Sequence, residues 1–210
     1  MRLRSWPFSW ERSPIMNNQQ STVETRTNIL RHTCPWWFLF TFDNPFRRLY
    51  QDPVKILFPY IIEGDFILDL GCGMGYLTIP AAELLGDRGK VVAVDLQQRM
   101  LNGLWSRAQK AGLQERIVLH QANQGRIGVE GSFNLALAFW MVHEVQDQRS
   151  FLGQIWNLLK PGGKLLVAEP YLHVPRKDFL QTGKILEEIG FTLIDEPEIG
   201  FSRTLVVGRD

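Results

Sequence analysis

Three alternating glycines form the part of this chain with the clearest chemical meaning. Gly71, Gly73 and Gly75, with Cys72 between the first two, directly follow the apolar run 66–70, and an apolar pattern with helical spacing comes next. A buried strand, a tight glycine turn and a helix form the first βα unit of a nucleotide-binding α/β sheet. Glycine has no Cβ, so the chain can bend sharply and a ligand can lie against the backbone. The turn therefore predicts a site for a nucleotide-like ligand.

The residues on either side of the turn indicate which ligand it holds. A dinucleotide fingerprint has its third glycine where this chain has Tyr76, and Asp69 lies two positions before the first glycine. A carboxylate here opposes the phosphate that a helix N-terminus attracts, but it suits an ammonium group. S-adenosylmethionine carries no phosphate and has an amino acid group and a sulfonium. The local charge therefore favours this cofactor over NAD.

Residues 69–75 (DLGCGMG) resemble motif I of the class I S-adenosylmethionine-dependent methyltransferases. Residues 159–163 (LKPGG) are similar to a structural turn that these enzymes commonly carry before their fifth strand. The resemblance implies a Rossmann-like fold, with S-adenosylmethionine bound at residues 69–75. The alternative is an ordinary glycine-rich turn of another Rossmann-like protein.

The ends of the second and third predicted strands are expected to hold the adenosine part of the cofactor. Asp95 ends the second strand, about 20 residues after the last glycine, where a carboxylate can accept both ribose hydroxyls. Asp95 could also cap the next helix. Leu96 would cover one adenine face. In similar enzymes an aspartate usually occupies the place of Asn123. The amide oxygen of Asn123 can still accept a hydrogen bond from the adenine amino group. The other interpretation is an ordinary loop asparagine without a role in binding.

The fourth predicted strand ends in residues 138–145 (AFWMVHEV), which should border both cofactor and substrate. Ala138 and Phe139 could contact the methionine part of the cofactor through their backbone. His143 is the candidate proton acceptor, because the usual pKa of histidine is near 6.5. The alternative is that His143 only braces the turn.

Several other methyltransferase chemistries have no counterpart in the sequence. Residues 138–141 (AFWM) stand where methyltransferases of amide or base nitrogens usually carry an N-P-P-Y or D-P-P-Y turn. The chain has no Pro-Cys dipeptide of the cytosine-carbon type, and no carboxylate trio suited to magnesium. We therefore expect a metal-independent enzyme with a small or lipophilic acceptor.

The elements that position these residues follow an alternating strand and helix pattern. Aliphatic runs without polar alternation are typical of parallel strands buried on both faces. The last two strands have too short a connection for a crossover helix, so they should pair antiparallel. The expected fold is an α/β, Rossmann-like methyltransferase sheet, mostly parallel with a C-terminal antiparallel hairpin and helices on both faces. The predicted strands are 66–70, 90–95, 116–120, 133–139, 163–169, 191–195 and 203–208, and the predicted helices are 75–86, 97–112, 148–160 and 176–190.

The chain is expected to divide into three parts. Residues 1–28 are rich in Ser, Thr, Asn and Gln and predict a poorly packed extension. Residues 29–65 contain the aromatic run 34–48 and form a helical packing segment or a lid, and residues 66–210 form the catalytic domain. For the aromatic run we consider packing on the edge of the sheet, a lid that excludes water, and docking on a membrane or partner.

Composition restricts the partners and the compartment. The formal net charge of +1 gives no general argument for binding nucleic acid, and no apolar run approaches the roughly 20 residues of a membrane helix. The two cysteines are too few for a disulfide scaffold and fit a reducing cytoplasm. We expect a cytoplasmic protein with a small-molecule substrate; the sequence leaves its oligomeric state open.

The expected function is methyl transfer from S-adenosylmethionine to a small-molecule nucleophile. The alternative is a non-catalytic S-adenosylmethionine-binding regulator or assembly factor on a degenerate scaffold, to which Asn123, Asn134 and the aromatic N-terminus give some weight.

Overall fold

The structure, a computed structural model, describes residues 47–210. The predictions for residues 1–28, and for the aromatic run as far as residue 46, lie outside the described residues. Within residues 47–210 no helix is both long and apolar enough to cross a membrane.

The described residues contain one seven-stranded sheet in the order β3-β2-β1-β4-β5-β7-β6. Strands β1 to β5 run parallel to one another, and β7 pairs antiparallel with both β5 and β6. The predicted parallel sheet with a C-terminal antiparallel hairpin is therefore confirmed. The strands are β1 (Phe66–Leu70), β2 (Lys90–Asp95), β3 (Ile117–Gln121), β4 (Phe133–Phe139), β5 (Leu159–Pro170), β6 (Thr192–Asp195) and β7 (Ser202–Gly208).

Helices cover both faces of this sheet. Buried side chains of α2, α3 and α4 pack on one face, and those of α5 and α6 pack on the other. The central strands β1, β2 and β4 are mostly aliphatic and almost fully buried between these two layers, as is typical of parallel strands, whereas β6 at the edge of the sheet is exposed. The α-helices are α1 (Arg47–Tyr50), α2 (Pro53–Leu57), α3 (Thr78–Leu84), α4 (Gln98–Ala111), α5 (Gln148–Leu158) and α6 (Arg176–Ile189), and the 3₁₀ turns are Gln114–Arg116 and Val142–Glu144.

Two predicted boundaries were wrong by more than two residues. The helix after the glycine turn begins at Thr78 rather than at residue 75, because Gly75 has a left-handed φ of 88° and belongs to the turn. Strand β5 begins at Leu159 rather than at residue 163, because Leu159 already pairs with Phe133. The next pair along these strands joins Leu135 to Lys164, so the Pro-Gly-Gly segment is an irregularity within β5.

The strand order places the turn and the ends of β2, β4 and β5 at one edge of the sheet. The order reverses between β1 and β4, whose connections go to opposite sides. Ligands of open α/β sheets bind beyond the carboxyl ends of the strands at such a reversal point. The candidate residues all lie at this edge.

Candidate active site

The glycine turn after β1 has two packed glycines on either side of an open one. All three have left-handed φ angles: 67° at Gly71, 54° at Gly73 and 88° at Gly75. A Cβ on Gly71 would lie 3.0 Å from Met141, and one on Gly75 would lie 2.3 Å from Leu104. A Cβ on Gly73 would meet no atom within 4 Å. Packing excludes side chains at the outer positions, while bare backbone at Gly73 faces open space.

The carboxylate of Asp95 borders the same open space. One oxygen accepts a hydrogen bond of 2.9 Å from the backbone N–H of Gly73, and the other accepts one of 2.8 Å from the N–H of Gln97. Gln97, and not Asp95, is the residue at the N-cap of α4. The pKa of Asp95 is raised overall, because the effect of burial exceeds the lowering effect of these backbone hydrogen bonds. Each carboxylate oxygen has a further lone pair that can accept a hydrogen bond from a ligand hydroxyl.

Asp69 lies at the floor of the turn. Its side chain is almost fully buried and accepts a hydrogen bond of 2.5 Å from the hydroxyl of Thr78. Burial raises the pKa of Asp69 to about 7, with a further increase from the charge of Asp95, against the lowering effect of the Thr78 hydrogen bond. Asp69 therefore changes its charge near neutral pH.

The other residues predicted to contact the cofactor differ in what they present to this edge. Leu96 and Asn123 are exposed beyond the ends of β2 and β3. The side chain of Cys72 is buried in the core beneath the turn, and Ala138 is fully buried within β4. Phe139 is 9% exposed at the end of β4. Ala138 therefore presents no exposed atom to a ligand, and Cys72 presents very little surface.

The side chains of His143 and Glu169 are hydrogen-bonded beyond the ends of β4 and β5. The ring nitrogen Nδ1 of His143 contacts Oε2 of Glu169, and the His143 backbone N–H donates to Oε1 at 3.2 Å. Burial lowers the pKa of His143, but the hydrogen bond and charge of Glu169, with the charge of Glu144, raise it overall. Glu169 thus fixes the imidazole with Nδ1 engaged, so that Nε2 is the nitrogen that can accept a proton.

A polar cleft of about 290 Å³ adjoins this pair. His143 and Glu169 line it from the sheet side, while His173, which precedes α6, and Asp178, in the first turn of α6, line the other side. The side chain of His143 is 30% exposed, whereas that of Glu169 is 2% exposed. Of the two side chains, that of His143 therefore offers most of the surface that a small molecule in the cleft can contact.

Sequence reasoning missed Thr78 and Glu169, the hydrogen-bond partners of Asp69 and His143. A signal for Glu169 was present, since it is an acidic residue that directly follows the apolar run 165–168 near the carboxyl end of β5. Thr78 gave no comparable signal, because a threonine in the first turn of a helix is ordinary. Within residues 47–210, no group of three or more His, Cys, Asp or Glu side chains could hold a metal ion.

Comparison with known families identifies this arrangement. A family model described as a methyltransferase domain matches residues 62–189, more than half of the chain. The chain belongs to this methyltransferase family. The resemblance of residues 69–75 to the class I S-adenosylmethionine-dependent methyltransferases is thereby confirmed.

Curated relatives of this methyltransferase chain include two enzymes whose names refer to quinones. It is 35% identical to a demethylmenaquinone methyltransferase of Lactobacillus johnsonii over 128 residues. The matched residues cover 60% of this chain and 50% of that protein. It is 33% identical to the ubiquinone/menaquinone biosynthesis C-methyltransferase UbiE of Shewanella oneidensis over 132 residues. This match covers 60% of this chain and 53% of that protein. The chain thus matches about half the length of these relatives.

Solved structures agree on the fold. An S-adenosylmethionine-dependent methyltransferase from Aquifex aeolicus superposes with a TM-score of 0.76 and 23% identity, over 85% of this chain and all of that one. An S-adenosylmethionine-dependent O-methyltransferase from Thermotoga maritima superposes with a TM-score of 0.61 and 19% identity, over 89% of this chain and 70% of that one. These structures show a shared Rossmann-like methyltransferase sheet.

The residues of the glycine turn fit S-adenosylmethionine. The space over Gly73 is one that a Cβ would enter, and the carboxylate of Asp95 stands beside it. A ribose over Gly73 would place its hydroxyls next to acceptor oxygens, and the buried Asp69 supplies an acid near an ammonium. The donor and acceptor set therefore suits an adenosyl amino acid.

The raised pKa of Asp69 predicts pH-dependent binding. An ammonium favours the ionised carboxylate, and protonation of Asp69 as the pH falls below about 7 removes that charge. The affinity for S-adenosylhomocysteine, measured by calorimetric titration, is therefore expected to fall about tenfold from pH 8 to pH 6. In Asp69→Asn the same pH change should leave the affinity nearly constant. A wild-type affinity that does not vary over this range would contradict an Asp69 carboxylate that loses its charge between pH 8 and pH 6 beside the ligand ammonium.

Proposed function

We propose that this protein transfers a methyl group from S-adenosylmethionine to a small-molecule acceptor. The proposal is carried by one observation: an open glycine turn with an acidic neighbour and a Glu-oriented histidine lie at the same edge of the sheet. When bound, S-adenosylmethionine supplies an activated methyl group on its sulfonium. The residues of the chain then have to hold, orient and deprotonate the reacting partners.

Positioning is the first contribution of the chain. Gly73 and Asp95 hold the adenosine part, and the ends of β1 and β4 receive the amino acid part. A fixed orientation of the two reactants can supply several kcal/mol of the activation free energy, up to about 7–11 kcal/mol in well-oriented intramolecular reactions. No covalent intermediate with the protein is required.

Proton removal is the second contribution. Glu169 engages Nδ1 of His143, so Nε2 takes the proton from the acceptor as the methyl group is transferred. This chemistry suits an acceptor whose reacting atom carries a proton or becomes nucleophilic when a neighbouring O–H ionises. The names of the relatives refer to quinones. We infer that the acceptor is the reduced form of such a ring, a quinol, whose hydroxyl groups meet this requirement.

The non-catalytic alternative has no support from the comparisons, whose matched relatives are named as methyltransferases. The presence of the His143–Glu169 pair beside a cleft also favours catalysis, because a protein that only binds the cofactor has no need of an oriented base.

The proposal is tested by incubating the purified protein with S-adenosylmethionine and a panel of acceptors. The panel contains short-chain quinols, simple phenols and primary amines, and the formation of S-adenosylhomocysteine is measured. We expect a rate above the acceptor-free background for at least one hydroxylated ring compound. Background rates throughout the panel and in a cell extract, from protein that binds S-adenosylhomocysteine, would contradict methyl transfer.

A further inference from the structure

A buried arginine lies at the edge of the site, outside the matched family domain. Arg47, in α1, is 7% exposed. Its guanidinium carbon lies 4.0 Å from the ring centre of Tyr76, 4.5 Å from that of Trp140 and 5.5 Å from that of Phe139. Three aromatic faces around a guanidinium stabilise its charge in a place with little solvent. The position of this charge is therefore fixed by packing.

Hydrogen bonds through Gln51 also fix the arginine. Nε of Arg47 donates to the side-chain oxygen of Gln51 at 2.7 Å. Gln51 is 1% exposed; its amide nitrogen donates to the hydroxyl of Ser202 at 3.1 Å, and its backbone carbonyl accepts from the hydroxyl of Tyr76. The indole N–H of Trp140 donates to the same Ser202 hydroxyl at 2.8 Å. The arginine is thus tied to the glycine turn, to the end of β4 and to the C-terminal hairpin.

The aromatic neighbours place this charge at one particular end of the cofactor. Tyr76 directly follows Gly75 of the turn, and Phe139 is the last residue of β4. The residues expected to bind adenosine lie at the ends of β2 and β3, on the other side of β1 in the strand order. A ligand that extends along this edge from its adenine therefore has its amino acid group near β1 and β4, beside Arg47.

The amino acid group of the cofactor carries a carboxylate as well as an ammonium. A guanidinium is the cation whose planar set of N–H donors matches a carboxylate, and such charge-assisted hydrogen bonds are about twice as strong as neutral ones. Asp69, by contrast, can interact favourably only with the ammonium.

We propose that Arg47 binds the carboxylate of the methionine part of S-adenosylmethionine, so that the segment before the family domain completes the cofactor site. The proposal rests on the proposed function, since it assumes that this cofactor occupies the glycine turn. It assigns a binding role to a residue that precedes the matched range of 62–189.

The test compares two ligands that differ only in the carboxylate. S-adenosylhomocysteine and its decarboxylated analogue, S-adenosyl-3-thiopropylamine, are titrated calorimetrically into the wild-type protein and into Arg47→Gln. The wild type is expected to bind S-adenosylhomocysteine about 10–100-fold more tightly than the analogue, and Arg47→Gln should reduce this preference to less than about threefold. Arg47→Lys, which keeps the charge without the planar fork, should retain an intermediate preference.

Arg209→Gln is the matched control. The Arg209 guanidinium stacks on Trp156 at 5.2 Å and donates to the backbone carbonyl of Trp156 at 2.6 Å, beside the residues that begin β5 at the opposite edge of the sheet. Its loss should leave the preference for the carboxylate unchanged.

Other outcomes separate the possible failures. A wild type without preference for the carboxylate would overturn the role of Arg47, even if Arg47→Gln does not fold. Equal losses of affinity for both ligands in a folded Arg47→Gln would also overturn it and assign the residue to packing alone. A wild type that binds neither ligand would instead contradict the proposed function itself.

Discussion

Replacement of His143 by alanine is expected to lower the turnover number about 10²–10⁴-fold and to change the affinity for S-adenosylhomocysteine by less than about twofold. The imidazole is the proton acceptor of the proposed reaction, and it lies beyond β4 and β5, apart from the turn that holds the adenosine. Initial rates with the acceptor that gives the highest activity, together with calorimetric titration, measure the two quantities. A variant with wild-type turnover would remove His143 from the mechanism.

Glu169→Gln separates proton transfer from a purely structural role of this pair. The base works when neutral, and Glu169 raises the pKa of His143, so the wild-type rate should rise with pH through a value above 6.5. Without the carboxylate charge this pKa falls, and the midpoint of the rise should move to lower pH. The glutamine amide can also donate to Nδ1 and stabilise the tautomer with its proton on Nε2, so the maximal rate should fall as well. An unchanged midpoint would contradict the role given to Glu169.

Gly73→Ala is expected to raise the dissociation constant for S-adenosylhomocysteine about 10–100-fold and to lower the free energy of unfolding by about 1–2 kcal/mol. The new methyl group would meet no protein atom within 4 Å, so it would project into the space assigned to the ligand. A steric conflict of this size typically costs about 1–3 kcal/mol. Calorimetric titration and thermal unfolding measure the two effects.

Gly112→Ala is the control for that variant. Gly112, at the C-cap of α4, has a φ of 70° and open space around its Cβ position, as Gly73 does. Both substitutions should lower the free energy of unfolding by about 1–2 kcal/mol, the usual cost of a left-handed residue with a side chain. Only Gly73→Ala should weaken binding; equal affinities in the two variants would show that the ligand does not lie against Gly73.

The features that sequence could predict are those that local patterns determine. The strand, the glycine turn and the position of Asp95 follow from a spacing that any βα unit of this type must have, and the antiparallel hairpin follows from the length of its connection. The predicted start of α3 was wrong, because a pattern of apolar residues does not show how far the preceding turn extends.

The residues that support the site depend on contacts between distant parts of the chain. Gln51 bonds to Ser202, which is 151 positions away, and His143 bonds to Glu169, which is 26 positions away. Neither pairing leaves a periodic signal. Arg47 likewise gave no signal in the sequence as a binding residue, since its position depends on aromatic rings from two other segments.

A crystal structure of the complex with S-adenosylhomocysteine tests the central claim most directly. The account predicts adenosine density over Gly73, with the ribose hydroxyl oxygens about 2.6–3.2 Å from the carboxylate of Asp95. Density for the ligand at another place, or a ribose beyond hydrogen-bond distance of Asp95, would contradict it.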